Sequence, residues 1–544
     1  MQGLMQQVPL TLQMILERAA TLYPAKTVTT KTGDGFHRET YAELAERVAR
    51  VASALKDMGV KPGDRVATAA WNSYRHLELY LAVPCMGAVL HTLNIRLHPD
   101  QLGFIVNHAD DQIVFVDTSI APLWEKVQPG TSVRETVWMD DTGTPTPGGL
   151  DYEDVVAGGS PDFAWPVLDE NQAAAMCYSS GTTGNPKGVV YSHRSSLLHS
   201  LASLFAGQIG LHERDVCLPI VPQFHVNAWG TPYGAMLAGA SLAMTGRFMD
   251  PVSVSQLVQE AGVTISAAVP TVWFGVLQAI KAGTVDASTL ATLKRIPCGG
   301  AAVPEPLMRG FDELGITIVH AWGMTETSPI ATIASVRSSV AEEAELQTRL
   351  TQGVVLPTLK LRIVDDAGDV QPWDGVSYGE LQISGPWIAD AYYEPSEPGN
   401  RGGLDRFEDD EVGNRWLKTG DVAVINAEGY MRIVDRTKDL VKSGGEWIST
   451  VELENLLIAH PKVAEAAVIA IKHPKWDERP LACVVRSDES VTKEDLLDFL
   501  ASKLAKWQVP DDIVFIEEVP KTSVGKFDKK VLRKRFADYE LPTL

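Results

Sequence analysis

A loop of small residues in the first half of the chain has a composition suited to binding an anion. It reads "YSSGTTGNPKG" (residues 178–188) and holds three glycines, a proline, a lysine and four serine or threonine hydroxyls. So little side-chain bulk allows several backbone N–H groups to converge on one phosphate. The loop therefore predicts a phosphate-bearing ligand, with an ordinary surface turn as the alternative interpretation.

This loop does not match the Walker-type phosphate loop. That motif requires four residues between its glycines and a serine or threonine after its lysine. Here two residues separate Gly181 from Gly184, and Gly188 follows Lys187. A different class of phosphate-binding site is indicated.

Four more stretches with compatible chemistry follow the loop. They are "AWGMTETSP" (321–329), "LKTGD" (417–421), "VDRTKDLVKSGGEW" (434–447) and "PKTSVGK" (520–526). Glu326 is a hard oxygen ligand suited to Mg²⁺, and Trp322 offers an aromatic face. Asp421 is a carboxylate that can accept two hydrogen bonds, and Lys526 is a cation that can stabilise negative charge. The alternative interpretations are core packing for Trp322, a turn for Asp421 and a solvated basic tail for Lys526.

In this order, the five stretches resemble the core motifs of the acyl-adenylate-forming superfamily. That superfamily contains acyl-CoA synthetases, nonribosomal-peptide adenylation domains and beetle luciferases. Within it, "VPQFHVNAWGTPYGAML" and "KSGGEWIS" are most similar to medium- and long-chain fatty-acid:CoA ligases. The resemblance implies an ATP-dependent acid–thiol ligase that uses ATP, Mg²⁺ and CoA. It would form an acyl-AMP intermediate and then an acyl-CoA thioester, with release of pyrophosphate and AMP.

The resemblance also assigns residues to the nucleotide. Thr182 and Glu326 would bind Mg²⁺, and Lys526, Thr182, Glu326 and His225 would be catalytic. The expected nucleotide-binding set is Ser179, Ser180, Gly181, Thr182, Thr183, Gly184, Lys187, Gly299, Gly300, Ala301, His320, Ala321, Trp322, Gly323, Met324, Thr325, Asp421, Arg436, Lys438, Lys442 and Trp447.

A further set is expected at the acyl and pantetheine side. It comprises His225, Val226, Asn227, Trp229, Gly230, Gly323, Gly444 and Gly445. By resemblance, His225 borders the acyl carboxylate and Trp229 is the aromatic gate of an acyl tunnel, although core packing is an alternative for both. Lys438 occupies the hinge position, about which a small domain would rotate between the two half-reactions.

The elements that must position these motifs alternate between helices and buried strands. Thr40 and Glu43 form a capping box before a helical spacing of apolar residues that ends at Gly59. Short apolar runs such as "QIVFVD" (112–117) and "ITIVHAWG" (316–323) indicate parallel strands. We therefore predict an α/β protein with stacked sheets in a large N-terminal domain.

The pattern of apolar and turn residues changes in the second part of the chain. From about Gly353, "LKLRIVDDAGDVQ" and "YGELQISG" indicate antiparallel strands of a β-barrel-like subdomain. In the last hundred residues, strands are expected at "KVAEAAVIAI" and "ERPLACVV", and a helix at "TKEDLLDFLASKLAKW". The predicted organisation is an adenylation domain at 1–435, a hinge at 436–442 and a small mobile α+β domain at 443–544.

Composition excludes several classes of protein. A net charge of −21 over 544 residues argues against a nucleic-acid binder. Five scattered cysteines suggest neither a disulfide framework nor a zinc site. There is no basic segment ahead of an apolar core at the N-terminus, and the longest apolar stretch is interrupted by Pro84. We expect a cytoplasmic homodimer without an integral membrane segment, whose partners are a small carboxylic acid, ATP and CoA.

The acid itself is left open by the sequence. A medium- or long-chain fatty acid is preferred, and short thioether, aryl and sterol side-chain acids are the alternatives. Three alternative functions also remain open: an enzyme that loads a carrier protein, a luciferase-type oxygenase, and a non-catalytic nucleotide- or acyl-binding protein. The last would be expected to lack Lys526, Glu326 or the glycine-rich loop, and all of these are present.

Overall fold

The described residues form four β-sheets. Two of these sheets are mostly parallel, the third is antiparallel, and the fourth is a small sheet in the C-terminal region. The computed structural model describes residues 1, 3–143, 147–179, 186–443, 446–521 and 527–542. Strands and helices alternate through the first 330 residues, as the apolar runs predict. The α/β fold class is confirmed.

The first sheet holds the strand that leads into the "AWGMTE" motif. Its central strands are parallel, and antiparallel strands close both edges. In spatial order its strands are Val354–Val355, Ile330–Ile333, Thr317–Gly323, Arg295–Gly299, Ile265–Ala267, Val216–Pro219, Ser241–Met244, Thr27–Thr32 and Gly35–Thr40.

The second sheet holds the two strands that flank the phosphate loop. Its parallel part is extended by an antiparallel edge, at which Tyr393 pairs with Gly188. In spatial order its strands are Arg401–Gly402, Tyr392–Tyr393, Gly188–Ser192, Ala173–Tyr178, Val89–Thr92, Arg65–Ala69, Ile113–Asp117, Glu135–Met139 and Leu150–Asp151.

The β-rich region predicted after Gly353 is an antiparallel sheet. Leu361 pairs with Ile383, which confirms the two strands expected there. The strands of this third sheet are Lys360–Val364, Tyr378–Ser384, Phe407–Asp409, Arg415–Ile425 and Met431–Arg436. The fourth sheet contains Val441–Ser443, Glu446–Ile448, Val463–His473, Asp477–Arg486 and Asp512–Phe515.

Helices cover the parallel sheets and pack on both faces of the C-terminal sheet. The first group is Gln13–Leu22, Tyr41–Asp57, Tyr74–Cys85, Pro99–Ala109, Ala121–Val127, Tyr152–Gly158, His193–Ala202 and Thr231–Ala238. The second group is Pro251–Ala261, Pro270–Lys281, Glu305–Asp312, Glu345–Leu350, Thr450–Ile458, Lys493–Ala501 and Lys529–Arg535. Within the described ranges, no helix has the length and apolar character needed to cross a membrane.

The helix Tyr41–Asp57 begins as its capping box predicts. The Thr40 amide donates to the Glu43 carboxylate at 2.7 Å, and the Glu43 amide donates to the Thr40 hydroxyl at 3.2 Å. Gly59 follows the helix with a φ of +87°, a backbone conformation that glycine adopts without strain. Local sequence signals therefore set both ends of this helix.

The helix predicted at residues 492–507 is shorter than expected. The apolar spacing suggests a helix through Trp507, whereas the observed helix is Lys493–Ala501. The Leu504 amide still donates to the Leu500 carbonyl at 3.0 Å, and a separate turn forms at Lys506–Gln508. Leu504 packs against the small apolar core of this domain, so the same apolar spacing continues without a continuous helix.

Candidate active site

Residues of four of the five motifs meet around a cavity of about 560 Å³ at the carboxyl ends of the parallel strands. Ligands of open α/β sheets bind at this edge. The predicted residues that line it are Ser179, Lys187, His225, Val226, Trp229, Gly300, Ala321, Trp322, Gly323, Met324, Thr325, Glu326, Arg436 and Lys438. Residues from five separate parts of the sequence are thus brought together.

The charges of this first cavity suit a polyanion. Among the described residues that line it, Glu326 is the only carboxylate. Five cationic side chains face the same space: Arg96, Lys187, Arg406, Arg436 and Lys438. A local excess of positive charge can attract phosphates even on an acidic protein.

Both ends of the phosphate loop are held by the second sheet. The Ser179 amide donates to the Lys187 carbonyl at 2.9 Å, and the Lys187 amide donates to the Ser179 hydroxyl at 3.2 Å. These contacts close the base of the loop. The predicted residues Ser180, Gly181, Thr182, Thr183 and Gly184 lie outside the described residues, as do Gly444, Gly445 and Lys526.

The segment after the strand Thr317–Gly323 is fixed by neighbouring tyrosines. The Tyr191 hydroxyl donates to the Thr325 carbonyl at 2.8 Å, and the Tyr392 hydroxyl donates to Glu326 Oε1 at 2.6 Å. Thr325 and Glu326 are both buried. A Cβ atom on Gly323 would lie 1.8 Å from the Pro329 carbonyl oxygen, so a larger residue would not fit this wall.

Asp421 is held between two predicted nucleotide-binding residues. Trp322 Nε1 donates to Asp421 Oδ2 at 2.9 Å, and Arg436 Nε lies 3.3 Å from Asp421 Oδ1. Asp421 and Arg436 also pair across the strands Arg415–Ile425 and Met431–Arg436. The indole N–H of Trp322 therefore orients the Asp421 carboxylate, a role separate from that of its ring face.

A second cavity of about 620 Å³ adjoins the first and lies between the N-terminal sheets and the C-terminal region. On the C-terminal side it is lined by residues that include Glu454, Lys521, Phe527 and Lys529. The predicted residues that line it are Gly300, Ala301, His320, Ala321, Trp322, Gly323, Met324, Asp421, Arg436 and Lys438. The segment 321–324 borders both cavities.

Lys438 also borders both cavities. Burial lowers the pKa of its ammonium group, and the nearby cations Arg436 and Arg533 lower it further. A cation in this position gains from any anion that enters either cavity.

Trp229 sits on a backbone turn of unusual conformation. Val226, Asn227, Ala228 and Trp229 have φ values of +48°, +51°, +49° and +59°, and Gly230 follows with +67°. A left-handed turn of non-glycine residues costs about 1–2 kcal/mol per residue. Asn227 and Gly230 line neither cavity; Asn227 Oδ1 instead accepts a hydrogen bond from the Tyr80 hydroxyl at 3.3 Å.

Gly299 is a packing position rather than a lining residue. A Cβ atom there would lie 2.3 Å from the Ala321 carbonyl oxygen and 3.6 Å from the Trp229 ring. The strands Arg295–Gly299 and Thr317–Gly323 can therefore approach closely beside Trp229. Gly300 follows and lines both cavities.

Lys442 and Trp447 line neither cavity in this arrangement of the chain. Lys442 Nζ lies 5.2 Å from the centre of the Trp447 ring, and that ring lies 5.5 Å from the ring of Tyr378. Their predicted contact with the nucleotide stays a prediction.

Comparison with known proteins decides the family. Residues 16–393 match the family described as AMP-binding enzyme, and residues 452–526 match the AMP-binding enzyme C-terminal domain. The chain belongs to the AMP-binding enzyme family. The resemblance read from the five motifs is confirmed.

Individual relatives cover nearly the whole chain. It is 45% identical to a long-chain-fatty-acid–CoA ligase of Thermus thermophilus, over 97% of this chain and 96% of the relative. It is 43% identical to a 3-methylmercaptopropionyl-CoA ligase of Ruegeria pomeroyi, over 99% of both chains. An anthranilate CoA ligase solved with anthranoyl-AMP superimposes with a TM-score of 0.85 at 25% identity, over 98% of this chain and 100% of that one.

Some residues of this AMP-binding enzyme's site lie outside the recognised sequence motifs. Tyr191 and Tyr392 hold the segment around Glu326, and Arg96 and Arg406 line the first cavity, yet sequence analysis singles out none of them. The "YY" pair of 392–393 is the one local cue, because paired aromatic residues favour a strand.

Four buried histidines predict that this AMP-binding enzyme loses stability as the pH falls below about 6.5. Burial lowers the pKa of each imidazole from 6.5 to about 4; the residues are His76, His193, His199 and His320. Between these pH values the unfolded chain binds more protons than the folded chain. Each histidine then lowers the free energy of unfolding by up to about 1.4 kcal/mol per pH unit.

Buried carboxyls with raised pKa values, Glu78 and Asp117 among them, act in the opposite direction. Burial and the neighbouring Glu39 raise the pKa of Glu78 to about 7, which favours the folded state as the pH falls through that value. The four imidazoles act together at every pH from 6.5 to 5, and we expect the urea midpoint of unfolding to fall over this range. Replacing His76 by Gln should flatten the profile, whereas the exposed His98→Gln should not. A midpoint that stays level would contradict the prediction.

Proposed function

We propose that this protein is an ATP-dependent, AMP-forming fatty acyl-CoA ligase that prefers medium- or long-chain acids. The observation that carries the proposal is the wall shared by the two cavities, the segment 321–324 with Gly300. An acyl-adenylate has to be made where an acyl pocket meets a nucleotide pocket. The CoA ligases among the relatives support the same reaction class.

In the first half-reaction, an oxygen of the fatty-acid carboxylate attacks the α-phosphorus of ATP, and pyrophosphate leaves. Lys187 and the loop residues Ser179 to Gly184 are proposed to bind the β- and γ-phosphates. Thr325 would bond the α-phosphate, and Asp421 would accept the ribose hydroxyls. Positioning and charge stabilisation supply most of the catalysis in such phosphoryl chemistry.

Glu326 is the proposed carboxylate ligand of Mg²⁺, together with Thr182. The fit is supported by its environment: Glu326 is buried, it is the only carboxylate among the described residues that line the first cavity, and Tyr392 bonds only Oε1. Magnesium prefers one or two carboxylates together with substrate phosphates. When bound, it would offset the charge of the triphosphate.

The acyl chain is proposed to enter beside His225 and Trp229. The neighbouring wall of the first cavity is apolar and contains Ile220, Val221, Pro222, Met249, Ala268, Val269 and Val272. Such a wall suits an alkyl chain. Rotation of Trp229 on its left-handed turn would change the space available to the acid.

In the second half-reaction, the CoA sulfur attacks the acyl carbonyl carbon, and the bond to AMP breaks. We propose an adenylation domain at 1–435, a hinge at 436–442 and a mobile domain at 443–544. This division is supported by the sheets, since Met431–Arg436 ends the third sheet and Val441–Ser443 begins the fourth. Gly444 and Gly445 are proposed to border the pantetheine path.

A short thioether acid is the second candidate substrate. It is favoured by the 43% identity to the 3-methylmercaptopropionyl-CoA ligase, which is close to the 45% identity to the long-chain ligase. The homodimer and the cytoplasmic location stay predictions from the sequence.

The test is pyrophosphate release across carboxylic acids from C2 to C18, with 3-methylmercaptopropionate and aryl acids included. Each acid is assayed with and without CoA. We expect the highest kcat/KM for alkyl chains of medium or long length, and steady turnover only with CoA. A maximum at 3-methylmercaptopropionate would establish the second candidate. Pyrophosphate release without thioester would indicate another acyl acceptor.

A further inference from the structure

A short edge strand brings a tyrosine to the phosphate end of the first cavity. Tyr392–Tyr393 belongs to the second sheet, where Tyr393 pairs with Gly188 at the end of the phosphate loop. Successive side chains of a strand point to opposite faces. Tyr392 accordingly lines the first cavity and is 5% exposed, whereas the Tyr393 ring lies 5.6 Å from the ring of His108.

The hydroxyl of Tyr392 holds one oxygen of Glu326. It donates to Glu326 Oε1 at 2.6 Å, and both side chains are buried. A phenol hydroxyl keeps its proton at neutral pH and can therefore donate to this carboxylate. Among the residues that the structure describes, none donates to Glu326 Oε2.

The ring of Tyr392 holds the lysine of the phosphate loop. Lys187 Nζ lies 4.7 Å from the centre of the ring, within the range of a cation–π interaction. The strand beneath is closely packed, because a Cβ atom on Gly188 would lie 3.2 Å from the Tyr393 Cβ. One side chain therefore contacts both the loop and the buried carboxylate.

We propose that Tyr392 is a positioning residue that holds Glu326 and Lys187 in one arrangement for the metal-bound phosphates of ATP. This inference rests on the proposed function, in which Glu326 binds the metal and Lys187 binds phosphate. Groups that are positioned before the substrate binds avoid the cost of ordering them afterwards. Tyr392 acts through its two neighbours and takes no proton in the reaction.

The two contacts can be separated by substitution. Tyr392→Phe removes the hydroxyl and keeps the ring, and Tyr392→Leu removes both. Tyr393→Phe is the matched control, because it removes a hydroxyl from the adjacent position on the opposite face. Mn²⁺ serves as the probe, and its binding to the enzyme with ATP is followed by electron paramagnetic resonance, alongside pyrophosphate release.

We expect Tyr392→Phe to weaken Mn²⁺ binding by about 10-fold, the loss of one hydrogen bond to a charged group. The affinity for ATP at saturating Mn²⁺ should stay within about 2-fold. Tyr392→Leu should additionally weaken ATP binding by about 3-fold through loss of the cation–π contact. A purely structural role would instead lower thermal stability and leave the Mn²⁺ dissociation constant unchanged.

Glu326→Gln separates failure of this inference from failure of the proposed function. If Glu326→Gln weakens Mn²⁺ binding while Tyr392→Phe behaves like Tyr393→Phe, the positioning role of Tyr392 is wrong and the metal site stands. If Glu326→Gln leaves Mn²⁺ binding unchanged, the proposed metal site is wrong, and the inference about Tyr392 is overturned with it.

Discussion

Replacing Lys526 by alanine is expected to slow adenylate formation from the free acid by about 10²- to 10³-fold, the usual cost of losing one group that stabilises charge in a transition state. The thioester step from preformed acyl-AMP should stay within a few-fold of the unaltered enzyme. The reason is that charge moves between carboxylate and α-phosphate only in the first half-reaction.

The nearest described residues on either side of Lys526 are Lys521 and Phe527, and their position is consistent with this role. Lys521 and Phe527 pair across the segment that contains Lys526, and both line the second cavity. Pyrophosphate release measures the first step, and thioester formation from synthetic acyl-AMP measures the second. Lys534→Ala is the matched control, since Lys534 is exposed and lines neither cavity. Equal loss in both steps would refute the division of labour.

Features encoded over a few neighbouring residues were predictable. The helix Tyr41–Asp57 follows from a capping box and an apolar spacing within one segment. The antiparallel strands Lys360–Val364 and Tyr378–Ser384 follow from alternation and turn residues. The five motifs predicted a common site because each contains side chains whose chemistry fits one part of a nucleotide.

Features that depend on distant contacts were not predictable. Tyr392 bonds Glu326 across 66 positions of sequence, and strand pairing at a sheet edge creates that contact. The left-handed turn at 226–229 contains no glycine, and only Asn227 is of a residue type that favours this conformation. Its conformation is imposed by packing, as at Asn227, which lies against Tyr80.

The same distinction applies to Trp322. Its position in the motif predicted an aromatic face for adenine, but not its hydrogen bond to Asp421, a residue in another sheet. The structure thus connects two motifs that the sequence treats separately. This connection leads to a quantitative prediction for nucleotide binding.

Asp421→Ala is expected to weaken ATP binding by about 100-fold, because two hydrogen bonds from ribose to a charged acceptor would be lost. The variant should also lose the preference for ATP over 2′-deoxy-ATP. Trp322→Phe keeps an aromatic face but removes the donor to Asp421 Oδ2, so an intermediate loss of about 3- to 10-fold is expected. Calorimetric titration with both nucleotides measures each dissociation constant.

The control for Asp421 is Asp390→Ala. Asp390 is an exposed carboxylate paired with Arg401 at 3.0 Å, and it lines neither cavity, so its removal should leave both dissociation constants unchanged. If Asp421→Ala bound ATP weakly yet still discriminated against 2′-deoxy-ATP, Asp421 would not be the sugar ligand. The weaker binding would then come from Arg436, which would have lost its carboxylate partner.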